Sequence, residues 1–313
     1  MASLILNKSE TEMIESYLKQ TAQNLQKLMD KTPASVVAFL GGTLPGTALL
    51  HLKQFSIFGM ISRAKNSVLY NHGMHVLTSA RSSSSSWFQQ IRGLCILYQL
   101  PHPVSFLQEP PKPETFKRLV KSRIVDHWEV QLRAKAASLT SAPYFKPSFM
   151  SLCKPHPIWS SCGPNPWECN KAVTSCRMLS GKYLTDQLQR HWTLNTSGDC
   201  LLPACSPRSL GSLEHLLLHC SALRNTREKM IRLSYKVSTE SSELANIIIT
   251  TLNSGDQKGL MQLLLDCTAV PGVIRCTQQS GSQTCDRLLY LGRTWCHSIH
   301  RERMTQLGLF RFR

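Results

Sequence analysis

Apolar residues recur at intervals of three and four along most of this chain, the spacing of amphipathic helices, and strand-like alternation is scarce. Ser9-Glu10-Thr11-Glu12 reads as a capping box. It opens a helix with apolar positions Met13, Ile14, Tyr17, Leu18, Leu25 and Leu28, closed by Lys31-Thr32-Pro33. A Gly/Pro-rich turn at Gly41 to Gly46 precedes a mostly apolar helix that runs to Arg63. Gly41-Gly42 is a turn rather than a phosphate loop, because no Gly-Lys-Ser/Thr follows it. Arg81 to Ser86, with five consecutive serines, reads as a low-complexity spacer or surface loop. Trp87 to Leu100 is a short helical pattern stopped by Pro101.

Glu109 to Pro113 holds three prolines and reads as a linker. The next pattern is amphipathic, with Phe116, Val120, Ile124, Trp128 and Leu132 spaced at four and Lys117, Arg118, Lys121 and Arg123 assigned to the other face. Two readings of those cations stand level: a solvated face on a packed helix, or a surface that tracks a nucleic-acid backbone between aromatic residues. Ser141 to Trp167 is rich in Pro and aromatics and reads as irregular. Asn170 to Trp192 is helical again, made basic by Arg177, Lys182, Arg190 and His191. Leu213 to Val237 and Ser242 to Leu265 predict two more helices, the second broken at Asn253-Ser254-Gly255-Asp256. Cys285 to Phe312 predicts an arginine-rich last helix. The expected fold class is mainly α.

Composition adds a partner class. In 313 residues Lys and Arg outnumber Asp and Glu by 36 to 19, a formal charge of +17. Such a surface favours polyanions, nucleic acid first, with anionic membranes and acidic proteins second. Twelve cysteines are too scattered for the framework of a small secreted domain. The first 28 residues lack the apolar run of a secretory leader, and the longest apolar stretch, 34–50, is interrupted by Gly41, Gly42, Pro45 and Gly46. The expectation is a nuclear or cytoplasmic protein, neither secreted nor membrane-spanning, with thiols reduced or metal-bound.

One cysteine cluster carries chemistry. CLLPACSPRSLGSLEHLLLHC, from Cys200 to Cys220, reads Cys-x4-Cys-x9-His-x4-Cys, a mixed donor set of the kind that holds one zinc ion in a tetrahedron. Pro203 helps the chain turn so that Cys200 and Cys205 face one ion, and Ser212 caps the helix carrying His215, His219 and Cys220. On an unbroken helix His215 and His219 share a face, whereas His215 and Cys220 sit about 140° apart. His219 and Cys220 therefore both remain open as the fourth ligand. Cys162, Cys169 and Cys176, and likewise Cys267, Cys276 and Cys285, have no His at ligand spacing and read as small buried hydrophobes.

No catalytic pattern accompanies it. The seven aspartates include no adjacent pair to hold two magnesium ions. Gly-x-Ser-x-Gly, His-Glu-x-x-His and phosphate-loop patterns are missing. Cys296 and His297, next to each other on a helix, diverge.

Several runs resemble the C-terminal region of non-LTR (LINE-type) retrotransposon reverse transcriptases. They are WECNKAVTSCRMLSGKYLTDQLQRHW, CLLPAC with LEHLLLHC, LPGTALLHLKQFSIFGMISR with SWFQQIRGLCILYQLPHP, and RTWCHSIHRERM. They span most of the chain in the family's order. The resemblance implies thumb helices that grip a template–primer duplex and a Cys-Cys-His-Cys zinc knuckle on Cys200, Cys205, His215 and Cys220. It thereby favours Cys220 over His219. The palm with its aspartate pair has no counterpart, nor has an endonuclease domain, so polymerisation would need a palm supplied in trans.

The implied organisation is a thumb-like helical remnant at 1–110, a basic amphipathic helix at 111–140, and an irregular connector at 141–167. A helix with the knuckle at 168–240 and a helical tail at 241–313 complete it. The implied function is a catalytically incomplete protein that binds RNA or DNA, with no membrane role. Lys117, Arg118, Lys121, Arg123, Arg177, Lys182 and Arg190 would supply positive surface beside one zinc ion. Two alternatives are a knuckle that docks a protein partner, and an element remnant without function.

Overall fold

The computed structural model describes residues 7–79, 86–190, 197–205, 209–280 and 282–309. Arg81 to Ser85 of the serine run, His191 and the arginines at 311 and 313 lie outside them. The described residues form a mainly α fold: fifteen helices, a few 3-10 turns, one π turn and a single antiparallel bridge. In chain order the helices are α1 (Lys8–Leu25), α2 (Ala34–Gly41), α3 (Gly46–Arg63), α4 (Val68–Thr78), α5 (Trp87–Leu97), α6 (Pro103–Gln108) and α7 (Pro113–Ala137). There follow α8 (Pro157–Ser160), α9 (Pro166–Leu179), α10 (Asp186–Arg190), α11 (Arg224–Ser238), α12 (Ser242–Asn253), α13 (Gln257–Leu265), α14 (Pro271–Ser280) and α15 (Gln283–Gln306). No single helix among the described residues is long and apolar enough to cross a membrane.

The contacts divide the chain into two compact units. The first comprises residues 1–22, 42–135 and 152–154; the second comprises 23–41, 136–151 and 155–313. Residues 111–135 thus belong with the N-terminal helices, and 23–41 with the C-terminal ones.

The first unit is built on an aromatic core. Phe55 and Phe58 of α3, Phe88 and Ile91 of α5, Phe106 and Leu107 of α6, and Phe116, Val120 and Ile124 of α7 are buried together. The four-residue stripe on α7 is therefore core, as its spacing indicates. Helices α6 and α7 share that core, so residues 109–112 are a short connection inside it. The first cap differs from the sequence reading. Asn7 Oδ1 accepts the Glu10 N–H at 2.8 Å, and Glu10 Oε2 accepts the Asn7 N–H at 2.8 Å, so the reciprocal box closes on Asn7 rather than Ser9. Met13 and Tyr17 face outward, 69% and 67% exposed. The inner side of α1 is fixed instead by Glu15, whose carboxylate accepts the Thr47 N–H at 2.8 Å at the start of α3.

The second unit is organised by α15. Helices α8, α9 and α11 to α14 all pack on it, and Leu288, Leu291, Trp295, Cys296 and Ile299 are buried there. Two arginines that the sequence reads as tail charge are buried. Arg293 donates to the Ser161 carbonyl and hydroxyl, and Arg303 pairs with Asp186. The helix predicted from Asn170 to Trp192 is broken. It stops at Leu179, and Gly181 adopts a φ of +66° with the Ser141 carbonyl packed where a side chain would stand. The break before α13 falls at Gly255, also at +66°.

Gly292 lets α15 approach the Leu264 carbonyl at the end of α13, and a Cβ there would collide with it. In an exposed helix interior Gly→Ala stabilises by about 1 kcal/mol. Here Gly292→Ala should instead destabilise by about 1–3 kcal/mol through overpacking. A lower urea midpoint with unchanged m-value is the expected result.

A candidate metal centre

Several backbone hydrogen bonds tie together the described residues between Gly198 and Leu223. Asp199 and Leu210 form the antiparallel bridge, the Cys200 N–H donates to the Ser209 carbonyl at 2.8 Å, and the Gly211 N–H donates to the Gly198 carbonyl at 2.9 Å. After the bridge the chain turns at Pro203, where the Cys205 N–H reaches the Leu202 carbonyl at 3.0 Å. Ser212 caps the following turn by accepting the His215 N–H at 3.0 Å.

Backbone geometry brings Cys220, rather than His219, to the other three groups. Residues His215–His219 form a π turn, and the Cys220 N–H donates to the His215 carbonyl at 2.7 Å. Widening the turn to an i, i+5 repeat places His215 and Cys220 one above the other, a pair that an α-helix would splay. Cys220 is fully buried and His219 is exposed. Cys200, Cys205, His215 and Cys220 then bring one donor atom each to within 4.8 Å of all the others, and the cluster can hold a metal ion. The Cys200 and Cys220 sulfurs are 3.8 Å apart, and the Cys205 sulfur lies 3.3 Å from His215 Nε2.

Its supports come from distant parts of the second unit. Asp186 Oδ2 accepts the Leu201 N–H at 3.2 Å, between the two loop thiols, and Asp186 Oδ1 accepts from Arg303 Nη2 at 2.7 Å. Gly211 lies against the Asp186 side chain so closely that a Cβ would not fit. Arg303 also donates to the Leu184 carbonyl and lies over the Tyr183 ring. Burial alone would lower the Arg303 pKa, but Tyr183 and Asp186 outweigh it and hold the guanidinium above its usual value. Below the cluster, Leu216, Leu217 and Leu223 are fully buried, and the Trp295 indole N–H reaches the Leu217 carbonyl at 3.4 Å.

Burial raises the Cys200 thiol to about 12, with Cys220 and Cys205 adding to the shift. Cys220 is raised by burial and by Cys205, while burial followed by His219 lowers His215. Neutral donors crowded out of water are poised to exchange protons for a cation. Arg227, which no spacing in the sequence marks, stands beside them with Nη1 buried and unpartnered among the described residues. Burial lowers its pKa, and negative charge on Cys220 and Cys205 raises it.

No family model, curated protein or solved structure matches this chain. The cluster's chemistry therefore rests on its own geometry.

The cations named from the sequence divide between the two units, Lys117, Arg118, Lys121 and Arg123 in the first and Arg177, Lys182 and Arg190 in the second. Lys117, Arg118 and Lys121 are exposed on α7. Arg123, two residues and about 200° beyond Lys121, lies across the buried stripe and lines a separate hollow with Tyr98 and His127. Arg177 is half-buried, its Nε spent on the Lys27 carbonyl at 2.8 Å. Lys182 is half-buried in the turn after α9. Arg190 is exposed, with its stem packed along Gly198 at the mouth of the knuckle loop.

Two outcomes follow. A thiol whose folded pKa is raised favours the fold below its unfolded value, and that contribution is lost as pH rises through the folded value. Metal-free protein should therefore lose stability between about pH 9 and 12, as Cys200 titrates, whereas metal-loaded protein should not; urea midpoints across that range test this. Asp186→Ala, which strands a buried Arg303, should cost about 3–5 kcal/mol in the same assay.

Proposed function

We propose that this chain is a catalytically incomplete, retrotransposon-derived protein that binds RNA or DNA, with a single zinc ion fixing part of its basic surface. The observation that carries the proposal is the shape of the Cys200, Cys205, His215, Cys220 cluster. A zinc tetrahedron with Zn–S near 2.3 Å and Zn–N near 2.1 Å has S···S edges of about 3.8 Å and S···N edges of about 3.6 Å. The cluster offers 3.8 Å between Cys200 and Cys220 and 3.3 Å between Cys205 and His215. Three thiolates and one imidazole also suit zinc better than the hard, oxygen-seeking cations. Once bound, the ion would hold the loop and the π turn together; all four positions are protein donors, which suits a structural rather than a hydrolytic centre.

The charge of +17 supplies the partner class. Three thiolates around a divalent ion leave one net negative charge, and Arg227 is placed to offset it, so the knuckle need not repel phosphates. The resemblance to LINE-type reverse transcriptases supports the same reading by residue order, and the missing aspartate pair supports binding without polymerisation.

Purified protein should carry one zinc per chain. Cys220→Ser should abolish it, and His219→Ala should leave it intact, as read by elemental analysis. Loss of zinc on His219→Ala alone would sink the assignment. Affinity for an oligonucleotide should fall steeply between low and physiological salt, by fluorescence anisotropy. A Cys200→Ser/Cys205→Ser protein that loses zinc but binds nucleic acid unchanged would favour a knuckle that docks a protein partner.

A further inference from the structure

The knuckle leads directly into α11, and that helix carries a cationic stripe that none of the positions named above includes. Lys229, Arg232 and Lys236 stand at i, i+3 and i+7, within about 60° of one another around the axis, so they form one row. All three are exposed. The opposite side of α11, through Ser234, Val237 and Ser238, is buried where the helix packs on α12 and α15. The acids that flank the row in sequence are occupied elsewhere: Glu228 pairs with Arg224 at 3.0 Å and Glu240 with Arg287 at 3.0 Å. Tyr235 lies next to the row, its large ring 45% exposed.

We propose that Lys229, Arg232 and Lys236 bind the phosphates of a single-stranded nucleic acid while Tyr235 stacks on one of its bases. The proposal rests on the nucleic-acid reading above and places the strand on one helix. Three cations over about 10 Å of helix match a chain of regularly spaced anions. An exposed aromatic ring beside them offers a face that unpaired bases can use and duplex bases cannot. Charge complementarity therefore selects a polyanion, and the ring selects an unpaired one. Zinc acts on this surface through the chain. Cys220 is four residues before α11, and the linking 3-10 turn is anchored by fully buried Leu223 and by the Ser221 hydroxyl bond to the Ala204 carbonyl at 2.9 Å. A closed metal site would hold the stripe's first turn in place.

The test uses the full-length zinc-loaded chain and a fluorescent single-stranded DNA, with anisotropy read over a range of salt. Lys229→Gln/Arg232→Gln/Lys236→Gln should keep its zinc and helical content. The slope of log affinity against log salt should shrink by about 2, at about 0.7 per lost phosphate contact. Tyr235→Ala should weaken binding about 5-fold or more with no change in slope, and Tyr235→Phe should bind as wild type. A triple variant that binds like wild type overturns the stripe and leaves the broader nucleic-acid reading standing; wild-type protein that binds no nucleic acid overturns both. Unchanged binding by Tyr235→Ala overturns the single-strand assignment. A triple variant that loses only its binding to phosphatidylserine vesicles overturns the proposal in favour of a membrane surface.

Discussion

A buried carboxylate, Asp186, holds the second unit's segment between Cys200 and Cys205 to its central helix. One oxygen takes the guanidinium of Arg303 and the other takes the Leu201 N–H, so α15 and the loop between Cys200 and Cys205 share a single anion. Neither member of the ion pair is more than 2% exposed in its side chain. A buried pair of this kind is weak support for stability in itself, since desolvation offsets most of the attraction. Its consequence is positional. A carboxylate that lost Arg303 would be stranded in the core, so the pair fixes where its second oxygen meets the Leu201 N–H.

The π turn is the second constraint, and it has a recognisable cause. An α-helical His215 could meet His219 but not Cys220, and an unwidened turn would leave Cys220 pointing away from Cys200. Widening by one residue aligns His215 with Cys220 while Leu216 and Leu217 stay fully buried under Trp295. The apolar pair and the ligand pair thus make compatible demands only on a π-type backbone, whose irregularity is often found at functional sites. The thiols held this way are disfavoured as free thiolates, because burial raises both, Cys205 raises both, and Cys220 further raises Cys200. A divalent cation removes both penalties at once.

Much of this was legible in the residues themselves. Apolar spacing identifies the core stripe of α7, the Gly/Pro turn before α3 and the mainly helical character, because local periodicity and burial agree there. What escaped depends on partners far away in the chain. Arg293 and Arg303 look like solvated tail charges until Ser161 and Asp186 fold onto them. The helix after Asn170 looks continuous until the Ser141 backbone fills the space at Gly181. Between Cys200 and Cys220, spacing pointed to the three cysteines and the histidine that the fold gathers, but a regular-helix assumption kept His219 in play. Burial of Cys220 and exposure of His219 separate them.

Charge is distributed unevenly over the described residues. Lys171, Arg293 and Arg303 are withdrawn into the second unit, where Glu168 and Asp186 partner them and Asp266 is buried as well. The excess of 17 positive charges belongs to the chain as a whole. That excess is unevenly arranged. On α7, Arg123 is separated from Lys121 by the turn of the helix, whereas on α11 the interval of three and four residues gathers Lys229, Arg232 and Lys236 into one row. Net charge sets how strongly a polyanion is attracted; the helical interval decides where several phosphates can be held together. The same period that buries one side of a helix aligns residues on the other, and on α11 Lys229, Arg232 and Lys236 stand opposite buried Ser234, Val237 and Ser238, just beyond Cys220.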